Sequence, residues 1–533
     1  MFFFEVDFHH SFFETIFCLN HRRNTILLIL AATSIRLLVA LTTELGNDEV
    51  YYRLYADPLQ WNYFDHPPMV GWLIRLTTFN LWIDNGLTIR LGSIICGAWA
   101  SWLMYVCGKR LSGAYTGFLA AALYTATIYG SIIAGTFILP DSPQMVCWIA
   151  ALYLLIKITE SKIITSKTSN DILWFGLVTG IGMLCKVHTI FLWFGLVLYV
   201  IIYNRSWLSN WVLYASAGIT VLFILPIVMW NVQNNFITFF FHGKRVNVAE
   251  GGLHFESLFT FIGGQIFYCN PIVFFIILYA LWHRHFGIKQ AQKKILLLVS
   301  LPLIFIATGV SLFKDLLPHW TGPAFASLLL LTAAYFAKSK MPLFKTRLMP
   351  VSFSIANGLL LLIVVAGMVV INFLPGTLGK QDALKKGEDD FTLDMYGWRK
   401  FAPAFDSIYH STHRKTQAPN QTIIVTNKWF PSAHIDFYIG RPLNLQTVAV
   451  GAIEDIHQYH WLNLQRGNIA DSTDLYIIIP SNYFTDVSKM TIVKNKLPVS
   501  TDTISQRRGS KEARRFYVYY FKKDVYDFTR SGF

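Results

Sequence analysis

Between Gly46 and Pro68 the chain reads GNDEVYYRLYADPLQWNYFDHPP, gathering Asp48, Glu49, Asp57 and Asp65 among Tyr51, Tyr52, Tyr55, Trp61 and Tyr63. Charge is scarce elsewhere: 14% of all residues are Asp, Glu, Lys or Arg, against roughly 25% in ordinary soluble domains. A helix over this stretch would take Asn47 as its N-cap, with Asp48 and Glu49 in the first turn at the positive end of the dipole. Helical spacing then sets Asp48, Tyr52 and Tyr55 on one face, as a catalytic carboxyl with substrate-holding rings would require. The plainer reading is a helix start with Glu49 and Arg53 paired at i, i+4.

Four further clusters carry possible chemistry. Asp65 and His66, in FDHPP, stand before two prolines that fix the backbone. They could bind a divalent metal or orient a substrate hydroxyl, or Asp65 could cap the next helix. Asp141, in GTFILPDSP, lies between prolines as a helix start would, with Asp141 or Ser142 as cap and a place near the first loop. Lys186, followed by His188, ends an apolar stretch, where it would snorkel to lipid headgroups or hold a phosphate. Lys244 and Arg245, in FFFHGKRVN, offer a second cationic pair for an anionic headgroup. WNVQNN at Trp230, GGQ at Gly263 and PHW at Pro318 recur at expected helix ends.

The scaffold for these residues is membrane-bound. Of the 533 residues 54% are hydrophobic, and apolar runs of about 20 residues, enough to cross a bilayer, recur as far as residue 375. Spans are predicted near 24–43, 86–107, 112–133, 143–159, 171–186, 188–203, 209–230, 257–282, 295–312, 319–336 and 348–374. Residues 68–85 are expected as a helix lying at the interface. The formal charge of +14 falls in short clusters between apolar runs, which suits topology rather than nucleic acid. With the amino terminus inside, Arg22, Arg23, Lys109, Arg110, Lys157, Lys162, Lys167, Arg205, Arg284–Lys294 and Lys338–Arg347 share the cytoplasmic side. Arg53, Arg75, Arg90, Lys186, Lys244, Arg245 and Lys314 lie opposite. An odd number of spans then leaves the carboxyl end outside.

Residues 1–21 lack the pattern of a cleaved signal, so the first span is expected to be an uncleaved anchor. The cysteines, Cys18, Cys96, Cys107, Cys147, Cys185 and Cys269, show no metal or redox spacing and are expected as free thiols packed in helices. From about residue 377 the chain turns polar. The runs Thr422–Asn427, Leu475–Pro480 and Phe516–Phe521 then read as strands of a small α/β unit. The expected division is a membrane part over 1–376, with an active-site loop at 44–85, and a soluble extracytoplasmic domain over 377–533.

Together these segments resemble the bacterial membrane glycosyltransferases of the protein O-mannosyltransferase and aminoarabinose transferase superfamily, the GT-C architecture. The resemblance is carried by Asp48-Glu49 with Tyr51-Tyr52, FDHPP at Phe64–Pro68, LPDSP at Leu139–Pro143, the Lys186 segment and PIVMWN at Pro226–Asn231. GGQ at Gly263, HW at His319 and YGWRK at Tyr396 add to it. It implies about 11–13 spanning helices and a carboxyl-terminal α/β domain in a cell-membrane enzyme. It also implies a sugar donor on a polyprenyl phosphate and an extracytoplasmic lipid, glycan or protein acceptor.

By the same resemblance Asp48 is the general base and Glu49 its motif neighbour. From their spacing and type, Tyr52, Tyr55, Asp65, His66, Asp141, Lys186, Lys244 and Arg245 are expected to surround the substrates. In aminoarabinose transferases the pair equivalent to Asp65-His66 is glutamate-lysine, a departure that bears on both metal and substrate. A secondary transporter is the non-enzyme alternative, but it would place ionisable groups near mid-membrane and show internal symmetry. A ligase or polymerase using a lipid-linked oligosaccharide is the alternative within enzymes.

Overall fold

The computed structural model describes residues 20–248, 252–283, 286–338, 349–416, 422–466, 473–493 and 496–522. Cys18, Arg284 and the basic residues of 339–347 lie outside them. Seven of the described helices are long and apolar enough to cross a membrane: His21–Thr42, Gly86–Ser112, Asp141–Ile158, Trp211–Gln233, Gln290–Ser311, Pro318–Lys338 and Val351–Phe373. The chain is a multi-pass membrane protein. Five described cysteines are free thiols, three of them buried.

The remaining expected spans map to helices that are shorter, broken or polar at one end. Ser166–Cys185 begins with polar SKTSND, and Val187–Tyr203 is apolar but short. The expected span 112–133 stops at Ala126. There the Thr127 hydroxyl donates to the Tyr124 carbonyl at 2.7 Å and accepts from the Gly130 amide at 3.0 Å, a side chain competing for the helix's own hydrogen bonds. The expected span 257–282 is bent by 96° between Phe255–Cys269 and Pro271–His283. Asn270 stands at the bend with φ 69°, and Pro271 has no amide hydrogen to continue the ladder. The Asn270 side chain donates to the carbonyls of Ala126 and Ala356, both at 2.9 Å, tying the bend to two other helices.

After the first spanning helix two short helices carry the acidic stretch: Asn47–Tyr55 and Met69–Thr77. They pack through Gly71, where a Cβ would lie 2.7 Å from the Tyr55 Cβ and 2.9 Å from its carbonyl oxygen. Backbone cannot yield as a side-chain tip can. Gly71→Ala should therefore cost about 1–3 kcal/mol through overpacking, outweighing the helix propensity gained. Thermal unfolding in detergent measures this, and an unchanged midpoint would show that the two helices can move apart freely. Beyond Thr77 the exposed Phe79 and Trp82 follow Leu76 on an apolar edge.

The carboxyl-terminal part holds a five-stranded sheet in the order β2-β1-β3-β5-β4. Its strands are β1 (Thr422–Thr426), β2 (Gln446–Ala449), β3 (Asp474–Pro480), β4 (Ser500–Arg508) and β5 (Lys511–Phe521). β1 runs parallel to β2 and β3, whereas β5 is antiparallel to β3 and β4. β1 and β3 are buried throughout, as strands covered on both faces must be, while β4 alternates on the edge. YGWRK joins this sheet to the membrane part. The buried Arg514 lies 4.2 Å over the Trp398 ring, and the Trp398 ring stacks on His434 at 4.2 Å. The free amides of Trp398 and Arg399, at the start of helix Trp398–Thr416, donate to the Glu44 carboxylate at 2.8 and 3.1 Å. A remote acid thus meets the helix's orphan donors.

Candidate active site

Helix Asn47–Tyr55 is capped by Gly46, not by Asn47 as its residue type suggests. The Asn47 side chain points away from its own helix, taking up the His434 imidazole at 2.8 Å. Glu49 supplies the cap instead, accepting the Gly46 amide at 2.9 Å. The expected pair with Arg53 is absent. The Glu49 carboxylate meets Arg90 through two bonds, at 2.7 and 2.5 Å, and also accepts the Ile138 amide at 3.2 Å. Arg90 is fully buried and also donates to the Thr43 and Glu44 carbonyls, at 3.2 and 2.9 Å. Glu49 is therefore a pivot that fixes its helix against two spanning helices, with its oxygens already engaged. Arg53 turns to Asp57 and Asp84, and Arg441 from the carboxyl-terminal part joins that acidic pair.

With Glu49 occupied, Asp48 is the carboxyl left open. Solvent reaches its side chain, yet the carboxylates of Asp65, Glu49 and Asp394, from three separate segments, act on it. Loss of hydration among the protein atoms crowded around it first, then repulsion from the three carboxylates, pushes the Asp48 carboxyl up to about 6 against the opposing pull of Arg245.

Tyr52 borders Asp48, and its ring lies 5.5 Å from that of His66. Tyr55, expected on the same face, has its ring 5.4 Å from that of Tyr52, and its hydroxyl donates to Asp65, which also accepts from Tyr51 at 3.1 Å. Burial and the nearby carboxylates keep both phenols protonated, hence donors. Asp65 does not cap the following helix, whose N-cap is Pro68. Burial works against its charge, but the imidazoles of His66 and His457 and the Tyr55 hydroxyl hold it below the usual carboxylate range. Burial drives His66 down to about 3, so it is neutral at pH 7.

Asp141 and Lys186 come together. Pro140, not Asp141 or Ser142, caps helix Asp141–Ile158. The Asp141 carboxylate accepts from Lys186 at 2.7 Å and from the Tyr129 hydroxyl at 2.9 Å. Lys186 is buried, so it does not snorkel; its charge is met inside the protein. The expected nearness of Asp141 to the first loop holds, since both members of the pair act on His66. Lys244 and Arg245 are exposed: Lys244 reaches Glu454 at 3.6 Å, and Arg245 lies over the Phe241 ring at 4.7 Å.

Three contributors escape a reading of spacing alone. His242, from helix Ile237–Val246, contacts the Asp65 carbonyl at 2.6 Å, and its neighbours in HGKRVN were the available signal. His457 stacks on Phe64 at 4.5 Å and on Trp429 at 5.3 Å. Gln458 accepts the Phe64 amide at 3.1 Å. These last two close the carboxyl-terminal part over FDHPP from about 390 residues away, and nothing local marks them. The Trp motifs also find partners: Trp230 donates to Gln60 at 3.1 Å, and Gly264 of GGQ packs against Pro318 of PHW. Among the described residues no group of three or more His, Cys, Asp or Glu is placed to hold a metal ion, so Asp65 and His66 lack further such ligands.

Residues 65–230 match the dolichyl-phosphate-mannose-protein mannosyltransferase family. Among curated proteins, the lipid A galacturonosyltransferase RgtD of Rhizobium johnstonii is 22% identical over 285 residues, covering 54% of this chain and 59% of that protein. ArnT from Cupriavidus metallidurans, solved bound to undecaprenyl phosphate, superposes with a TM-score of 0.63 at 13% identity, covering 92% of this chain and 97% of that one. The same protein in its apo state gives 0.61 over the same shares. The fold is thus that of ArnT, with seven or more apolar helices among the described residues and a carboxyl-terminal α/β sheet, and the stretch from residue 65 to 230 matches the dolichyl-phosphate-mannose-protein mannosyltransferase family.

Proposed function

We propose that this protein transfers a sugar from a polyprenyl-phosphate donor to a hydroxyl of a lipid, glycan or protein on the extracytoplasmic side. The amino terminus would be cytoplasmic and the sheet-bearing residues after about 376 external. The observation that carries this reading is Asp48: a solvent-reached carboxyl raised to about 6, beside Tyr52, with Asp65 and the neutral His66 close by. ArnT's capture of undecaprenyl phosphate and RgtD's action on lipid A support the donor and acceptor classes.

The acceptor oxygen attacks the anomeric carbon while its proton passes to Asp48. The bond from that carbon to the phosphate oxygen breaks, and the polyprenyl phosphate leaves with the electron pair. Single displacement inverts the anomeric centre. Tyr51 and Tyr55 hold Asp65 ionised and fix the FDHPP backbone beside the base. The leaving phosphate needs cations. Lys186 is neutralised by Asp141, so the exposed Arg245 and Lys244 are better placed to meet the growing charge, with the Asp141–Lys186 pair shaping the wall behind His66.

The test is incubation of the purified protein with polyprenyl-phosphate sugars and candidate acceptors, following acceptor mass. Export of a small solute without transfer would favour a transporter instead. If Asp48 is the base, kcat/KM should fall about tenfold for each pH unit below 6 and level off above about 7, because only the ionised carboxylate accepts a proton. A flat profile between pH 5 and 8 would remove Asp48 from that role.

A further inference from the structure

On the membrane face opposite the first loop, where His21–Thr42 begins and Gly86–Ser112 ends, lies a cavity of about 830 Å³, toward the upper end of ligand pockets, roughly 300–1,000 Å³. Among the described residues four cations line it, Arg22, Lys109, Arg110 and Lys289, against one carboxylate, Glu160. Arg110 donates to that carboxylate at 2.7 Å. Arg22, Lys109 and Lys289 are exposed and have no ion pair among the described residues.

Two further features set it apart from a scatter of basic loop ends. Helix Gln290–Ser311 starts here: Lys289 is its N-cap, no side chain caps it and its first turn holds no acid. Its first amides are therefore orphan donors at the positive end of the helix dipole, where a phosphate binds readily. In that turn Gln292 is 3% exposed and lines the cavity, and its side-chain amide, which is not sealed from solvent, makes no hydrogen bond among the described residues. A crowded amide without a partner gains from a ligand that meets it. The cavity wall also continues into the membrane. Lys109, Trp102, Trp99 and Ile95 share one face of their helix, and Trp99 and Ile95 are 65% and 51% exposed. From Lys109 to Ile95 the strip is about 21 Å long at 1.5 Å per residue, more than one leaflet of a hydrocarbon core of about 30 Å. Arg245, which acts on Asp48, and Lys244 beside it belong to the first-loop side, so this is a separate anion site.

We propose that this cavity binds the headgroup of a phospholipid carrying two phosphates, with a chain lying along the Trp99–Ile95 strip. Basic pockets between spanning helices suit such heads, and three unpaired cations with an uncapped helix start exceed what one phosphodiester would neutralise. Native mass spectrometry of the purified full-length protein, titrated with cardiolipin, phosphatidylglycerol or phosphatidylcholine, reads this without any transfer assay. Cardiolipin should bind at least about tenfold more tightly than phosphatidylcholine, with phosphatidylglycerol between them. The triple variant Arg22→Gln, Lys109→Gln, Lys289→Gln should abolish the preference, and its exposed positions leave folding undisturbed. A second triple variant, Lys162→Gln, Lys167→Gln, Arg205→Gln, removes the same charge from exposed positions on that membrane face outside the cavity lining and should leave the preference intact. Cardiolipin binding no more tightly than either other lipid would overturn the proposal, as would equal loss in the two triple variants, which would reduce the effect to diffuse surface charge. So would displacement of cardiolipin by equimolar inorganic pyrophosphate, which would assign the cavity to a soluble diphosphate.

Discussion

Asp48→Asn should lower kcat/KM for sugar transfer about a thousandfold while leaving expression, membrane insertion and melting temperature unchanged. General-base catalysis contributes about 10²–10⁴, and asparagine keeps the shape of the side chain while losing the basic oxygen. Folding should be indifferent, because Glu49 rather than Asp48 makes the bonds that fix this helix. Relief of carboxylate repulsion against Asp65 and Asp394 should, if anything, make the variant more stable. Asp48→Glu, with its longer reach, should recover part of the rate. Wild-type turnover by Asp48→Asn would exclude Asp48 as the base.

Arg90→Met should be the most disruptive single change among the residues that position the site. It removes a fully buried guanidinium and leaves all its acceptors without it at once: the Glu49 carboxylate, the Thr43 hydroxyl and carbonyl and the Glu44 carbonyl. Breaking a buried pair from one side leaves an uncompensated charge and costs about 3–5 kcal/mol. That is a large share of a domain's stability of roughly 5–15 kcal/mol. The double variant Glu49→Gln with Arg90→Met should recover part of the loss, since no buried charge is then left alone. Detergent-solubilised variants compared by thermal unfolding would show it. Arg90→Met melting with the wild type would mean that the pair does not hold helix Asn47–Tyr55 in place.

Both predictions depend on a division of labour between adjacent acids that their spacing does not reveal. Asp48 and Glu49 are equivalent as residue types at a helix start. Which one is left open depends on Arg90, 41 residues further along, and on the Ile138 amide. Long apolar runs, in contrast, were legible because a spanning helix needs only length and composition. Where a span fails to run straight, the cause is local: Thr127 bonding its own backbone, and Asn270 before Pro271. Asn-Pro is itself a turn signal, present in CNPI but embedded in an apolar run long enough to span.

The sheet divides in the same way. β1, β3 and β5 announce themselves as aliphatic and aromatic runs because they are central. β2 is four residues long, and β4 is an edge strand whose STDTISQRR has the polar alternation that an exposed edge needs. At the site, the clusters at Asp65, Asp141, Lys186 and Lys244 were visible as residue types, but their partners were not. As a residue type Lys186 reads as an interfacial anchor or a phosphate ligand, and the 2.7 Å pair with Asp141, 45 residues away, has no local signal. His457 and Gln458 reach FDHPP only because the sheet-bearing residues fold back over the loop.

The most direct measurement is release of polyprenyl phosphate from a polyprenyl-phosphate sugar by the purified protein, followed with acceptor present for the wild type and Asp48→Asn between pH 5 and 8. The expected result is wild-type release that rises through a midpoint near 6 to a plateau, and release by Asp48→Asn that is about a thousandfold lower at every pH. Release by Asp48→Asn at the wild-type rate, or a wild-type donor left intact with lipid, glycan and protein acceptors alike, would contradict it.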